Sequence, residues 1–280
     1  MLNKKIKIVA DSSSDVLKLS NAPFCSAALK IITKDKEFVD DENLDVNAMV
    51  TYLGEYNGKT TTSCPNSADW LEAFGDAEEI YCVTITATLS GSYNAAVMAK
   101  QTYEEMYPER KVYVLNSLST GPEMALIIDK IEELILKEIA FDEICAQIES
   151  YSQKTGLLFM LESMRNLANN GRVSHLVAKM AGILGIRLVG KASDKGDLEP
   201  LDKCRGEVKA LRSISDNLKK SGLSKGKVKI AHCFNEGLAL KLKEIIETEF
   251  AGAKVEVYQC RGLCSFYAEK GGLLIGFEKE

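Results

Sequence analysis

At 280 residues, with 46% hydrophobic and 27% charged side chains, the chain has the composition of a globular protein long enough to bury a sizeable core. Its net charge of −5 argues against nucleic acid or an anionic membrane surface as the main partner. No apolar stretch approaches the roughly 20 residues of a membrane span, and the first residues read as a strand rather than a signal peptide, so a cytoplasmic protein is expected.

In chain order, KIKIVA (5–10), EEIYCVTI (78–85) and KVYVLN (111–116) read as strands. They alternate with helical patterns over roughly Asp45–Tyr56, Asp69–Asp76, Ser92–Met106 and Pro122–Lys137. This βα alternation predicts an α/β fold with a parallel sheet covered on both faces. The helix 141–155 leads into a short strand, LLFM (157–160), and then into two helices around an Asn-Gly break. Residues 186–204 read as a hairpin turning at Asp194–Gly196. An amphipathic helix at Val208–Lys220, the strand KVKIAHC, a helix to Phe250, the strand AKVEVYQC and the terminal LLIGFE complete what reads as a second βα set. Two α/β lobes are expected, residues 1–154 and 155–280.

Two turns carry the chemistry. Residues 84–96, TITATLSGSYNAA, run from a strand into a helix through Thr86, Thr88, Ser90 and Ser92, hinged at Gly91. Hydroxyls and free amides at a helix start form a receptor for a small anion such as a carboxylate or phosphate. The spacing lacks the lysine and glycines of a nucleotide-binding P-loop. TTTSCP (60–65) is a second such cluster, ahead of a helix capped by Asn66 or Ser67, and NSLSTG (116–121) a third. In open parallel sheets ligands bind beyond the carboxyl ends of the strands, so the three turns are expected to face one crevice. Each feature also has a plainer reading. Ser90 caps its helix, Thr62 is a turn residue before Pro65, and Arg172 closes a helix end beside Gly171. Arg205 pairs with Glu207 or Asp202, and Met180–Leu188 is a core helix running into a strand.

The motifs DSSSD (11–15), TSCP (62–65), LSGS (89–92), NGR (170–172) and KCRG (203–206) occur in that order along nearly the whole chain. On these the chain resembles the DegV family of bacterial fatty-acid-binding proteins. The resemblance implies a DegV-like fold of two lobes with a long-chain fatty acid held between them and no cofactor. It further implies Thr62 and Ser90 as donors to the carboxylate, with Ser63, Gly91 and Ser92 shaping the same pocket. Arg172 and Arg205 are implied as cations for a phosphorylated head group, because family carriers present the acid to a fatty acid kinase. Ile183, Leu184 and Ile186 are expected to line the acyl tail, since Ala181, Gly182 and Gly185 leave room for a chain.

The terminal HxGPG motif of the family is replaced. Counting back from Gly276-Phe277, Tyr267 stands where the histidine would be and Glu269-Lys270-Gly271 replaces GPG. A phenol cannot supply the near-neutral titration of an imidazole, so support of acyl-phosphate formation is expected to be weakened while fatty acid binding is kept.

An enzyme of a different class, a serine-dependent acyl or phosphoryl hydrolase or transferase using Ser90 or Ser117, is the alternative. It lacks a placed base: the two histidines, His175 and His232, lie in no nucleophile motif. A sugar-binding sensor would want aromatic platforms and amides that these turns lack. The eight cysteines include no CxxC pair, which predicts neither a disulfide framework nor a zinc site.

Overall fold

β1 (Ile6–Asp11) ends in a 3-10 turn, Ser12–Ser14, capped by the Asp11 side chain. The computed structural model to which these elements belong describes residues 5–174, 177, 179 and 185–280. β2 (Phe24–Ala27), β3 (Lys30–Ile32) and β4 (Glu37–Val39) follow, then α1 (Val46–Glu55), β5 (Thr61–Ser63) and α2 (Ser67–Phe74). Asn66 caps α2 in a reciprocal box with Asp69, which starts that helix two residues before the expected Asp69. β6 (Glu79–Thr84), α3 (Ser92–Met106), β7 (Lys111–Asn116), α4 (Pro122–Leu136) and α5 (Phe141–Ser152) close this half.

β1, β2, β6 and β7 pair in parallel in the order β2-β1-β6-β7. Period-two alternation splits their apolar residues between two cores. Val9, Ile80 and Cys82 pack on α2 and α3 through Trp70, Phe74 and Tyr103. Ile8, Ala10, Tyr81 and Val83 pack on α4 and α5 through Met124, Ile128 and Ile144. A separate antiparallel sheet, β4-β3-β5, was not apparent in the sequence; it sets Thr62 opposite Ile31.

The second half begins with β8 (Thr155–Leu161), α6 (Arg165–Asn169) and the hairpin β9 (Ile186–Ala192) and β10 (Leu198–Arg205). The hairpin turn is closed by Ser193 and Asp197 around Gly196, as the sequence predicts. α7 (Glu207–Lys220), β11 (Lys227–His232), α8 (Glu236–Glu249), β12 (Lys254–Gln259), α9 (Gly262–Ala268) and β13 (Leu273–Glu278) complete the chain. The sheet order is β10-β9-β8-β13-β11-β12. Only β11 and β12 pair in parallel, so the expected second βα set reduces to one unit in an otherwise antiparallel sheet. The reason is β13, which returns between β8 and β11 and runs against both.

α7 and α8 cover one face of this sheet through Leu211, Ile214, Leu238 and Leu242. The other face turns toward the first sheet. There the start of α4 lies directly on β13: a Cβ on Gly276 would sit 2.5 Å from the Glu123 nitrogen, so only glycine permits this approach.

Candidate functional site

The loops at the carboxyl ends of β1 and β6 are fixed by one buried carboxylate. Asp11 Oδ2 accepts from Ile85 N at 2.9 Å and from the Ser92 hydroxyl at 2.6 Å, while Oδ1 accepts from both the backbone amide and the hydroxyl of Ser13. Burial pushes the Asp11 pKa up, against the four hydrogen bonds it receives. Ser92 is fully buried and spends its hydroxyl on this hub. It therefore supports the turn from behind and does not line the cavity.

In front of the turn lies a partly open cavity of about 280 Å³, between the two large sheets. Its polar end is small. Thr62, Ser63, Ser90, Gly91, Arg172 and Tyr267 line it there. Thr62 Oγ1 and the Tyr267 hydroxyl lie 2.7 Å apart, and one of them donates to the other. The Ser90 oxygen accepts from Ser92 N at 3.3 Å, which leaves its own hydrogen free to donate. Ser90 thus bonds the first turn of α3, but the helix cap itself is Gly91. The Arg172 Nε donates to Leu89 O at 3.1 Å, and its Nη1 donates to Asn170 O. That ties Arg172 to the same loop that carries Ser90. Burial raises the Tyr267 pKa, opposed by the bond to Thr62 and the nearby Arg172 charge, so the phenol is neutral. The polar end therefore offers neutral hydroxyl donors and one guanidinium.

The rest of the lining is apolar. β8 contributes Leu157, Phe159 and Leu161, every second residue of the strand. Leu274 from β13, Leu198 from β10 and Leu167 from α6 complete that wall. Leu29, Ile85 and Leu89 come from the first half.

Of the remaining expected positions, Arg205 ends β10 on the surface, opposite Ile186 on β9, and neither lines the cavity. Ile183 and Leu184 lie outside the described residues. Thr86 and Thr88 face each other and the hairpin: the Thr88 hydroxyl donates to Gly196 O at 2.8 Å. Of the third turn, Thr120 reaches the cavity, while Ser117 is buried and donates to Ser119 O within its own turn. His232 ends β11, with Nδ1 accepting from Asn235 N. His175 lies outside the described residues.

A family model described as "Uncharacterised protein, DegV family" matches residues 5–280. The chain belongs to the DegV family. It is 42% identical over 276 residues, 97% of this chain and 98% of the other, to a DegV domain-containing protein of Streptococcus pneumoniae. Among solved structures it is similar to a DegV family protein of Eubacterium eligens loaded with heptadecanoic acid, with a TM-score of 0.96 and 43% identity. That match covers 98% of this chain and 100% of the other. It is equally similar to the fatty acid kinase (Fak) B3 protein of Streptococcus pneumoniae loaded with linoleic acid, with a TM-score of 0.97 and 41% identity, over 99% and 100% of the two chains.

Against the DegV motif, Tyr267 is the informative residue. The sequence marks it only as a departure from histidine; the fold makes it the hydrogen-bond partner of Thr62. The β8 lining was equally hidden, because the run GLLFML is apolar throughout and its alternation cannot be seen until one face is known.

Proposed function

We propose that this chain is a lipid-binding carrier that holds one long-chain fatty acid in the cavity, with the carboxylate at Thr62, Ser90 and Tyr267. Residues 1–154 supply most of the head-group donors, and residues 155–280 form the apolar wall along the acyl chain. The observation that carries the reading is the polarity of the cavity. The hydroxyls of Thr62, Ser63, Ser90 and Tyr267 and the Arg172 guanidinium cluster at one end of a lining that, apart from Gly91 and Thr120, is otherwise leucine, isoleucine, phenylalanine, alanine and cysteine. Each methylene removed from water contributes ~0.8 kcal/mol, so a chain of roughly 14 methylenes gains on the order of 11 kcal/mol before ordering costs. The head group mainly sets orientation. Charge-assisted hydrogen bonds are worth ~1.5–3 kcal/mol each, and neutral donors permit release more readily than a buried pair of arginines.

The 41–43% identical relatives described as loaded with fatty acids support the same ligand class, and the name of the fatty acid kinase B3 protein supports presentation to a kinase. On this reading the chain performs no chemistry itself and any phosphorylation is done by the partner. The Arg172 guanidinium, half-buried, is the cation that lines the cavity among the described residues and is suited to an acyl phosphate. Arg205, on the surface end of β10, is suited to the partner's face instead. A cytoplasmic location fits the eight free thiols, and among the described residues no helix is long and apolar enough to cross a membrane.

Mass spectrometry of the purified, denatured protein tests the reading. The wild type is expected to release a stoichiometric palmitate- or oleate-sized acid. A Thr62→Ala/Ser90→Ala double variant, still folded by circular dichroism, is expected to lose most of it. Undiminished lipid in the double variant would sink the head-group assignment, and a covalent serine adduct would favour the serine-dependent enzyme.

A further inference from the structure

Phe159 is the one phenylalanine on the otherwise aliphatic β8 wall of the cavity and is fully buried, in the middle of the three β8 positions that face the slot. By strand spacing it stands about 6.6 Å from Leu157 on one side and Leu161 on the other. Across the sheet it pairs with Leu274 of β13 and with Gly190 of β9. Directly opposed residues of an antiparallel pair share a face, so any side chain at 190 would point where the Phe159 ring is. A Cβ on Gly190 would lie 2.6 Å from Cε2 of that ring and 2.7 Å from the carbonyl oxygen of Glu199. The phenyl ring therefore lies over the glycine, in a recess that exists only because position 190 has no side chain. Leu274, the neighbour on the other side, offers no such recess.

We propose that Gly190 and Phe159 together determine which acyl chains the slot admits. The glycine recess holds the ring beside the slot and keeps its middle wide enough for a long or bent chain. This rests on the fatty-acid-carrier reading above and adds to it a specificity-determining pair. Filling the recess displaces the ring into the slot at mid-chain depth, where a short straight acid is disturbed least. Removing the ring widens the same point. Pocket changes of about one methylene discriminate by roughly 10- to 200-fold, so the selection is measurable.

The test uses the full chain as wild type, Gly190→Ala and Phe159→Leu. Each is stripped of lipid, exposed to an equimolar mixture of myristate, palmitate and oleate, and its retained acids are quantified by mass spectrometry. Gly190→Ala is expected to lower the retained oleate-to-myristate ratio by about tenfold, and Phe159→Leu to raise it by a similar factor. Gly190→Ala also meets the Glu199 carbonyl; if that variant fails to fold, Phe159→Leu, which only removes volume, decides alone. An unchanged ratio in a variant that still binds overturns this proposal and leaves the carrier reading intact. A wild-type protein that retains none of the three acids overturns the carrier reading and the proposal with it.

Discussion

A hydroxyl pair such as Thr62 and Tyr267 has two hydrogens, one of which lies between the two oxygens. The second is left for a ligand, and the shared bond fixes the direction in which it points. Tyr267→Phe keeps the ring, its packing against Phe266 and the local fold, and removes only that relay. A charge-assisted bond worth ~1.5–3 kcal/mol is lost or weakened, so fatty acid affinity is expected to fall by about 10- to 100-fold. Titration of the stripped protein with oleate measures it, and equal affinity in the two proteins would remove the phenol from the head site. The turns that hold Thr62 and Ser90 were legible in the sequence because hydroxyls ahead of a helix start carry a local pattern, whereas the choice of these two hydroxyls came from the DegV resemblance. The Tyr267 contact was not, because its partner lies 205 residues away and no local pattern encodes it.

The helix that carries Tyr267 shows the same limit for a whole element. α9 has no side-chain cap of its own in the preceding residues, and nothing in the stretch GLCSFYA marks it as a helix in the sequence. Its first amides are satisfied from far along the chain. Asp40 accepts from Gly262 N and Leu263 N, each at 2.8 Å, and Asp15 Oδ1 accepts from Arg261 N at 2.8 Å. Two carboxyls from the first half thus anchor the helix that delivers Tyr267 to Thr62. By contrast α4, with proline at its start and a strong apolar stripe, was legible almost to its ends. The anchoring has a pH signature. Burial pushes the Asp15 pKa up to about 8, opposed by the bond from Arg261 N, and neighbouring Asp40 adds to the rise. Among the described residues Oδ2 has no nitrogen or oxygen partner; it lies beside Gly121 and the Cys264 thiol, which opposes the rise weakly. An unfolded aspartate loses its proton near pH 4, so between about pH 4 and 8 folding takes up a proton. Stability contributed by Asp15 therefore falls as pH rises through that window. Asp15→Asn keeps the acceptor for Arg261 N and leaves nothing to ionise; Asp40, also shifted upward by its burial, titrates in both proteins. The melting temperature of the variant is expected to fall less than that of the wild type between about pH 5 and 8. Parallel curves would mean that Asp15 is already ionised in the folded protein.

At the scale of the molecule, the cavity is a seam between a parallel sheet and a largely antiparallel one. The βα alternation predicted the first sheet closely, because parallel strands buried on both faces read as continuous apolar runs. The second was read as more of the same, since a strand returning antiparallel from the chain end leaves no periodicity of its own. The seam is closed at its sides by contacts that involve few atoms: Gly276 against the start of α4, Gly196 against Thr88, and Arg172 against Leu89. Between them Leu157, Phe159, Leu161 and Leu274 face Ile85 and Leu29 across the slot. An apolar slot of this kind is poorly wetted, so on the carrier reading proposed above an acyl chain would be a structural part of the seam. Any ligand that binds only the folded state stabilises it by RT ln(1 + [L]/Kd), about 2.7 kcal/mol at a free concentration of 100 Kd. Protein stripped of lipid is therefore expected to melt several degrees lower than protein reloaded with oleate, and reloading should show the negative heat-capacity change of apolar burial. Scanning calorimetry on the two forms, with Thr62→Ala/Ser90→Ala as a third sample, separates the contributions. If the acyl chain supplies most of the stabilisation, the double variant at saturating oleate regains most of the shift despite its weaker affinity. If stripped and reloaded wild type melt together, the acid does not occupy the seam, and the apolar lining belongs to the core alone.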